Sequence, residues 1–244
     1  MKPNPIEMNG PCGVLLVDKA PDMTSHDVVA IARRALNTKK IGHCGTLDPM
    51  ATGLLMLVIG RATKIQDLLM SEDKEYVGTI TLGTSTGTQD RQGEILETKP
   101  VPAFSPAEIH QAFESFTGEF GQIPPMVSAI KKDGVPLYKL ARKGQVIERD
   151  PRQVRVTGYQ VTRIELPDID FIVNCSKGFY VRTYAHDIGE KLGCGGHLSA
   201  LRRTRSGKFT LDRAVTVADL KTAPREILLK AMVSLAEISL MRGA

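Results

Sequence analysis

Gly42-His43-Cys44-Gly45-Thr46-Leu47-Asp48-Pro49-Met50-Ala51-Thr52-Gly53 is the stretch from which the rest of the chain is read. Three glycines, a proline and two threonines in these twelve residues exclude a helix or a regular strand, so a loop is expected. Leu54-Leu55-Met56-Leu57-Val58-Ile59 follows at once, an apolar run of the length of a buried strand. A polar loop seated on a buried strand is where a rigid scaffold presents chemical groups. Its ionisable candidates are Asp48 and His43. An aspartate before proline is also a turn former, and a loop histidine is often a solvated or capping residue. Local chemistry leaves both readings open.

Outward from this loop, 244 residues give room for one large domain or two small ones. A hydrophobic content of 42% and a charged content of 24% are those of an ordinary globular protein. No apolar run approaches the roughly 18 residues that a spanning helix needs, and Met1 to Pro11 carries no signal-peptide pattern, so no membrane partner and a cytoplasmic location are expected. Cys12, Cys44, Cys175 and Cys194 form neither a C-x-x-C pair nor a metal-ligand spacing, and are expected to be reduced thiols. The net charge of +5 favours an anionic partner only weakly. Its distribution says more.

Gly13 to Val17 has the pattern of a buried strand, and Thr24 or Ser25 can cap a helix with Val28, Val29, Ile31, Ala32 and Leu36 at helical spacing. Arg33, Arg34, Lys39 and Lys40 lead a cationic face up to the loop. A short helix is expected over Ala62 to Met70, carrying Lys64, and an alternating strand over Tyr76 to Leu82. Thr84 to Asp90 reads as a polar connection, and Ser105-Pro106-Ala107-Glu108 as a capping box opening a helix to about Phe116. Gly121 to Pro151 changes character: Pro and Gly breaks, with Lys131, Lys132, Lys139, Arg142, Lys143 and Arg149 around Tyr138. Such interleaving suits a nucleic acid, and a solvated charged hairpin equally. Strands are expected from Gln153 to Ile164 and over Phe171 to Val173, then a helix through Tyr184, Ala185, Ile188 and Leu192, closed by Gly193. Leu201 to Lys208 is the densest basic cluster, suited to phosphates. Short helical pieces follow at Val217 to Leu220 and Ile227 to Leu240. Strands and helices mix without regular βαβ alternation, so the fold class is α+β with a largely antiparallel sheet.

The loop closely resembles the signature of the TruB family of tRNA pseudouridine synthases. Gly13-Val14-Leu15-Leu16-Val17-Asp18-Lys19, Lys74-Glu75-Tyr76 and Cys175-Ser176-Lys177-Gly178-Phe179-Tyr180-Val181-Arg182-Thr183 resemble three more of its motifs, in order, over roughly residues 11 to 220. The resemblance implies a pseudouridine-synthase fold, a mixed sheet flanked by helices. It implies a catalytic domain over 1–220, with an RNA-binding insertion at about 121–151 and a short helical tail over 221–244. It implies isomerisation of uridine 55 in the tRNA T-loop, reached by base flipping, with no cofactor and no metal. Asp48 matches the essential carboxylate, Arg182 the arginine paired with it, and Tyr76 the tyrosine stacked on the target base. His43, Lys64, Tyr180, Leu201 and Lys19 fall on the substrate side. Lys131, Lys132, Arg142, Arg202, Arg203 and Arg205 are expected to meet the RNA backbone. The expected partner is tRNA, with the protein a monomer that needs no obligate protein partner.

Cys44 stands where many relatives have threonine, and Ala20 where proline usually follows the lysine. Many relatives continue into a small RNA-binding domain of PUA type, and this chain stops at Ala244, so no full PUA domain is expected. Two other readings compete. One is an RNA-binding protein without catalysis, resting on the basic clusters alone. The other is a cysteine-dependent RNA-modifying enzyme using Cys44 beside His43, although adjacent residues of an extended loop point apart.

Overall fold

An unbroken apolar run from Val14 to Val17 leaves no face for water, and β1 (Gly13–Lys19) is buried almost throughout. The computed structural model describes residues 10–128, 130–132, 134–137, 140, 144–145 and 147–243. After β1, α1 (Ser25–Ala35) starts at a capping box in which Thr24 and Asp27 satisfy each other's backbone N–H groups. Then come β2 (Ile41–Cys44), β3 (Thr52–Ile59), a 3-10 turn over Gly60–Ile65, α2 (Gln66–Met70) and β4 (Lys74–Leu82). β5 (Thr84–Thr86), β6 (Ile95–Thr98), α3 (Pro106–Glu114), β7 (Gly118–Gln122), β8 (Lys131–Lys132) and β9 (Val135–Pro136) follow. The chain continues through β10 (Arg152–Glu165), β11 (Asp168–Cys175), α4 (Val181–Lys191) and β12 (Gly196–Ser206). It ends in β13 (Phe209–Thr210), β14 (Val215–Thr216), α5 (Val217–Thr222), α6 (Arg225–Ala231) and α7 (Leu235–Arg242).

Two compact units form, one from the chain up to Tyr76 and from Arg202 onward, the other from Val77 to Leu201. In the first unit the strand order is β14-β1-β3-β12, with β2 also on β3 and β13 on β12. β1 and β2 run antiparallel to β3, whereas β14 on β1 and β12 on β3 are parallel. Its core gathers Val14, Leu16, Leu54, Met56, Val58, Leu69, Phe209, Val233 and Ile238. In the second unit β4, β11, β10 and β7 stand side by side, with β10 antiparallel to both neighbours. There Phe113 stacks on Tyr159 and meets Tyr184 edge-on, while Phe171 and Phe179 complete an aromatic cluster under α3 and α4. A mixed, mainly antiparallel sheet with flanking helices is the expected α+β class.

Several local expectations are corrected. Gly42, His43 and Cys44 are not loop but strand, because their backbone pairs with Val58, Leu57 and Met56. The loop proper is therefore 45–51. The Leu201–Lys208 cluster lies largely in β12, where inward and outward positions alternate despite the charges. The helix expected from Tyr184 starts three residues earlier, at Val181, and the piece expected over 227–240 breaks into α6 and α7. The polar connection after β4 holds a short strand, β5, paired with β6.

Candidate active site

The loop between β2 and β3 is held from three directions, all within the first unit. From α1, the buried Ser25 hydroxyl donates to the carbonyl of Leu47 at 3.1 Å and accepts the Leu47 N–H at 2.9 Å. From the end of β1, Lys19 is 0% exposed, and its ammonium donates to the carbonyls of Pro49, Ala20 and Met23 at 3.1, 2.9 and 2.7 Å. The Asp22 N–H also donates to Pro49. From β12, Arg203 reaches under the loop to the carbonyls of Gly45 and Leu54. The residues on both sides of Asp48 are thus fixed, and the Asp48 carbonyl accepts the Ala51 N–H to close the turn. Asp48 itself is half-buried. Burial pulls Lys19 down to about 8, and Asp48 is the first of the carboxylates opposing that.

His43 meets His26 edge-on at 5.3 Å, and burial first, then the electrostatic influence of His26 and Arg203, pulls it down to about 4. It is therefore neutral at pH 7. The neighbouring Cys44 thiol is buried and pushed up to about 12 by desolvation, so almost none of it is the reactive thiolate. That removes the basis for a Cys44 nucleophile. Tyr76 is buried on the inward face of β4, and Lys64 is exposed on the 3-10 turn after β3.

In the second unit Arg182 is buried in the first turn of α4. Its guanidinium donates to the carbonyls of Thr88 at 3.0 Å and Val127 at 2.8 Å, and its Nε lies 3.8 Å from the Asp90 carboxylate. Asp90 is buried as well, and accepts from the Thr88 hydroxyl and the Gln92 N–H. Tyr180 precedes α4, its backbone clamped by Gln122, which accepts its N–H at 2.8 Å and donates to its carbonyl at 3.1 Å. Leu201 is buried at the end of the Val77–Leu201 unit. Sequence reading missed Asp90 and Ser25. Their partners stand 92 positions away in Arg182 and 22 away in Leu47, and no local pattern marks them. Among the described residues no three His, Cys, Asp or Glu side chains gather so as to hold a metal ion.

Residues 33–181 match the model of the TruB family pseudouridylate synthase N-terminal domain. The chain belongs to the TruB family. Residues 182–239 match the model of the tRNA pseudouridylate synthase B C-terminal domain. The chain is 59% identical over 212 residues to tRNA pseudouridine synthase B of Opitutus terrae, covering 87% of this chain and 88% of that one. It is 47% identical over 225 residues to the protein of the same name from Syntrophotalea carbinolica, covering 92% and 74%. Among solved structures it resembles a chain of a Cbf5-Nop10-Gar1 complex, with a TM-score of 0.74 and 33% identity, covering 98% of this chain and 64% of that one. A Nop10-Cbf5 complex of the archaeal box H/ACA sRNP gives a TM-score of 0.68 at 30% identity, with 96% and 63% covered. The chain thus spans less than two thirds of these solved chains.

Within this TruB-family chain the expected RNA contacts fare differently. Arg203 is 1% exposed, with Nε and Nη2 donating to backbone carbonyls, so its guanidinium is turned into the first unit and away from the surface. Lys19, expected on the substrate side, is a buried ammonium with three carbonyl acceptors, a post beneath the loop that carries Asp48. Arg202 is half-exposed and bidentate on Asp18, at 3.0 and 2.7 Å, and Arg205 is 3.6 Å from Glu75. Lys131 and Lys132 form β8, paired with β9. Arg142 lies outside the described residues, as do Tyr138, Lys139 and Lys143. No helix among the described residues is long and apolar enough to cross a membrane.

Proposed function

We propose that this chain isomerises uridine to pseudouridine in tRNA, at position 55 of the T-loop, with Asp48 as the catalytic carboxylate. The observation that carries the reading is the fixed loop: the backbone on either side of Asp48 is hydrogen-bonded to buried groups of α1 and β1. In the reaction the bond from ribose C1′ to N1 of uracil breaks, the base turns, and C1′ bonds to C5, which loses its proton while N1 gains one. Glycosidic cleavage builds positive charge on the ribose, and a carboxylate held in place stabilises or traps it. Precise placement is what such a step demands of the protein, since misplacement of a reacting group by about 1 Å costs on the order of 100-fold.

In this reading Tyr76 stacks on the target base, and Arg182 is the arginine of the family motif. Arg182 is itself oriented by Asp90 and two carbonyls of its own unit. Tyr180 and Leu201 line the uracil pocket, and His43 helps to hold the RNA loop open once the target nucleotide has flipped out. The target nucleotide leaves its stack because its reacting atoms are inaccessible within a folded loop. The segment over 121–151 contacts RNA, and the protein acts as a cytoplasmic monomer without an obligate partner. The test uses a tRNA transcript labelled with tritium at C5 of uridine. Wild type releases label to water, Asp48→Asn binds tRNA and releases none, and sequencing places the product at position 55. Release by Asp48→Asn at the wild-type rate would refute the role given to Asp48.

A further inference from the structure

Arg203 was expected on the RNA and is buried instead, which leaves a charged side chain whose purpose lies inside the first unit. Burying a guanidinium costs several kcal/mol unless its donors are satisfied, so such a group persists where its hydrogen bonds matter. Nε donates to the Leu54 carbonyl at 2.7 Å and Nη2 to the Gly45 carbonyl at 3.1 Å. Gly45 begins the loop that holds Asp48, and Leu54 stands just beyond its end, so one planar group ties the two ends together. The fork geometry of arginine suits this, because two donors in fixed relation set the distance between two acceptors.

The backbone of Arg203 grips the same loop a second time. It pairs in parallel register with Gly53, where a Cβ would stand 2.2 Å from the Arg203 carbonyl oxygen and 2.9 Å from its nitrogen. Gly53 also has φ +94°, which side-chain-bearing residues seldom adopt. At the other end Gly45 has φ +80°, and a Cβ there would lie 3.2 Å from Nη1. Both glycines are thus shaped around one arginine.

We infer that Arg203 is a positioning residue for catalysis, setting the span of the Asp48 loop through Gly45, Gly53 and Leu54. The inference rests on the isomerase reading above. Arg203→Lys keeps the charge but cannot span both carbonyls, and Gly45→Ala presses on the guanidinium from the loop side with the charge untouched. Both are compared with wild type in single-turnover tritium release at saturating tRNA, in tRNA Kd across a salt series, and in Tm. Expected are rate losses of roughly 100-fold with Kd and salt slope within twofold of wild type. Ser25→Ala combined with Arg203→Lys should lose less than the product of the two single losses, because both act through the loop's position. Losses that multiply in full, an unchanged rate in either folded variant, or a rise in Kd with a flatter salt slope and the rate intact would each overturn the inference. Where Arg203→Lys loses its thermal transition, Arg203→Gln takes its place in the same three measurements. Failure of wild type to release label would instead sink the isomerase reading, so the two failures are distinguishable.

Discussion

Lys19 keeps an ammonium fully enclosed at the end of β1, and its titration gives opposite signs for stability and for activity. An ammonium has three N–H donors and a neutral amine two, while three carbonyls await them. Burial pulls the group down to about 8 against the opposition of Asp48, Asp22 and Asp27. Between about 8 and the ordinary lysine value the unfolded chain holds a proton that the native protein has released, so stability rises with pH across that window. The rate should do the reverse, falling above about pH 8 as one tether on the loop is lost. Single-turnover label release between pH 6.5 and 9.5 measures this, with Lys19→Arg, which stays charged, expected to lack the falling limb. The same limb in Lys19→Arg would assign the titration to another group.

Among the elements, the join between β7 and the start of α4 carries a prediction of its own. The Gln122 carboxamide closes both backbone hydrogen bonds of Tyr180, one residue before α4, and α4 has no side-chain cap from Tyr180. Gln122→Ala should speed hydrogen exchange at the Tyr180 amide at least tenfold, the loss of roughly 1.4 kcal/mol of local protection, while amides in β10 and β11 stay as slow as in wild type. Equal exchange at Tyr180 would show that α4 holds this segment without the glutamine. None of this was legible in the sequence, because Gln122 and Tyr180 stand 58 positions apart. What was legible follows a local rule: β1 and β3 from unbroken apolar runs, α1 from a cap at Thr24 or Ser25 with apolar residues at helical spacing, α3 from its capping box, and the Asp48 turn from Gly45 and Pro49. β12 was hidden because its inward positions include Arg203 and Ser206 as well as Leu201, so the alternation of a strand was masked by charge.

At the scale of the whole molecule, a net charge of +5 over 244 residues cannot say which cations meet an RNA, and burial does the sorting. Of the three arginines in the 202–205 cluster, Arg203 is enclosed, while Arg202 and Arg205 present half-exposed guanidiniums, each beside a carboxylate, Asp18 and Glu75. Exposed ion pairs of this kind are worth about 0–1 kcal/mol, so exchanging the carboxylate for a phosphate costs little. Each phosphate neutralised releases counterion and adds roughly 0.7–0.9 to the slope of log K against log salt. Arg202→Ala with Arg205→Ala should therefore weaken tRNA binding and flatten that slope by about 1–2. Arg203→Lys should leave it unchanged. Filter binding of tRNA from about 50 to 200 mM salt gives both numbers in one experiment. A slope unchanged in the double variant would mean that Asp18 and Glu75 hold these arginines too firmly to reach RNA, and that the cluster, for all its charge, is part of the framework of the first unit.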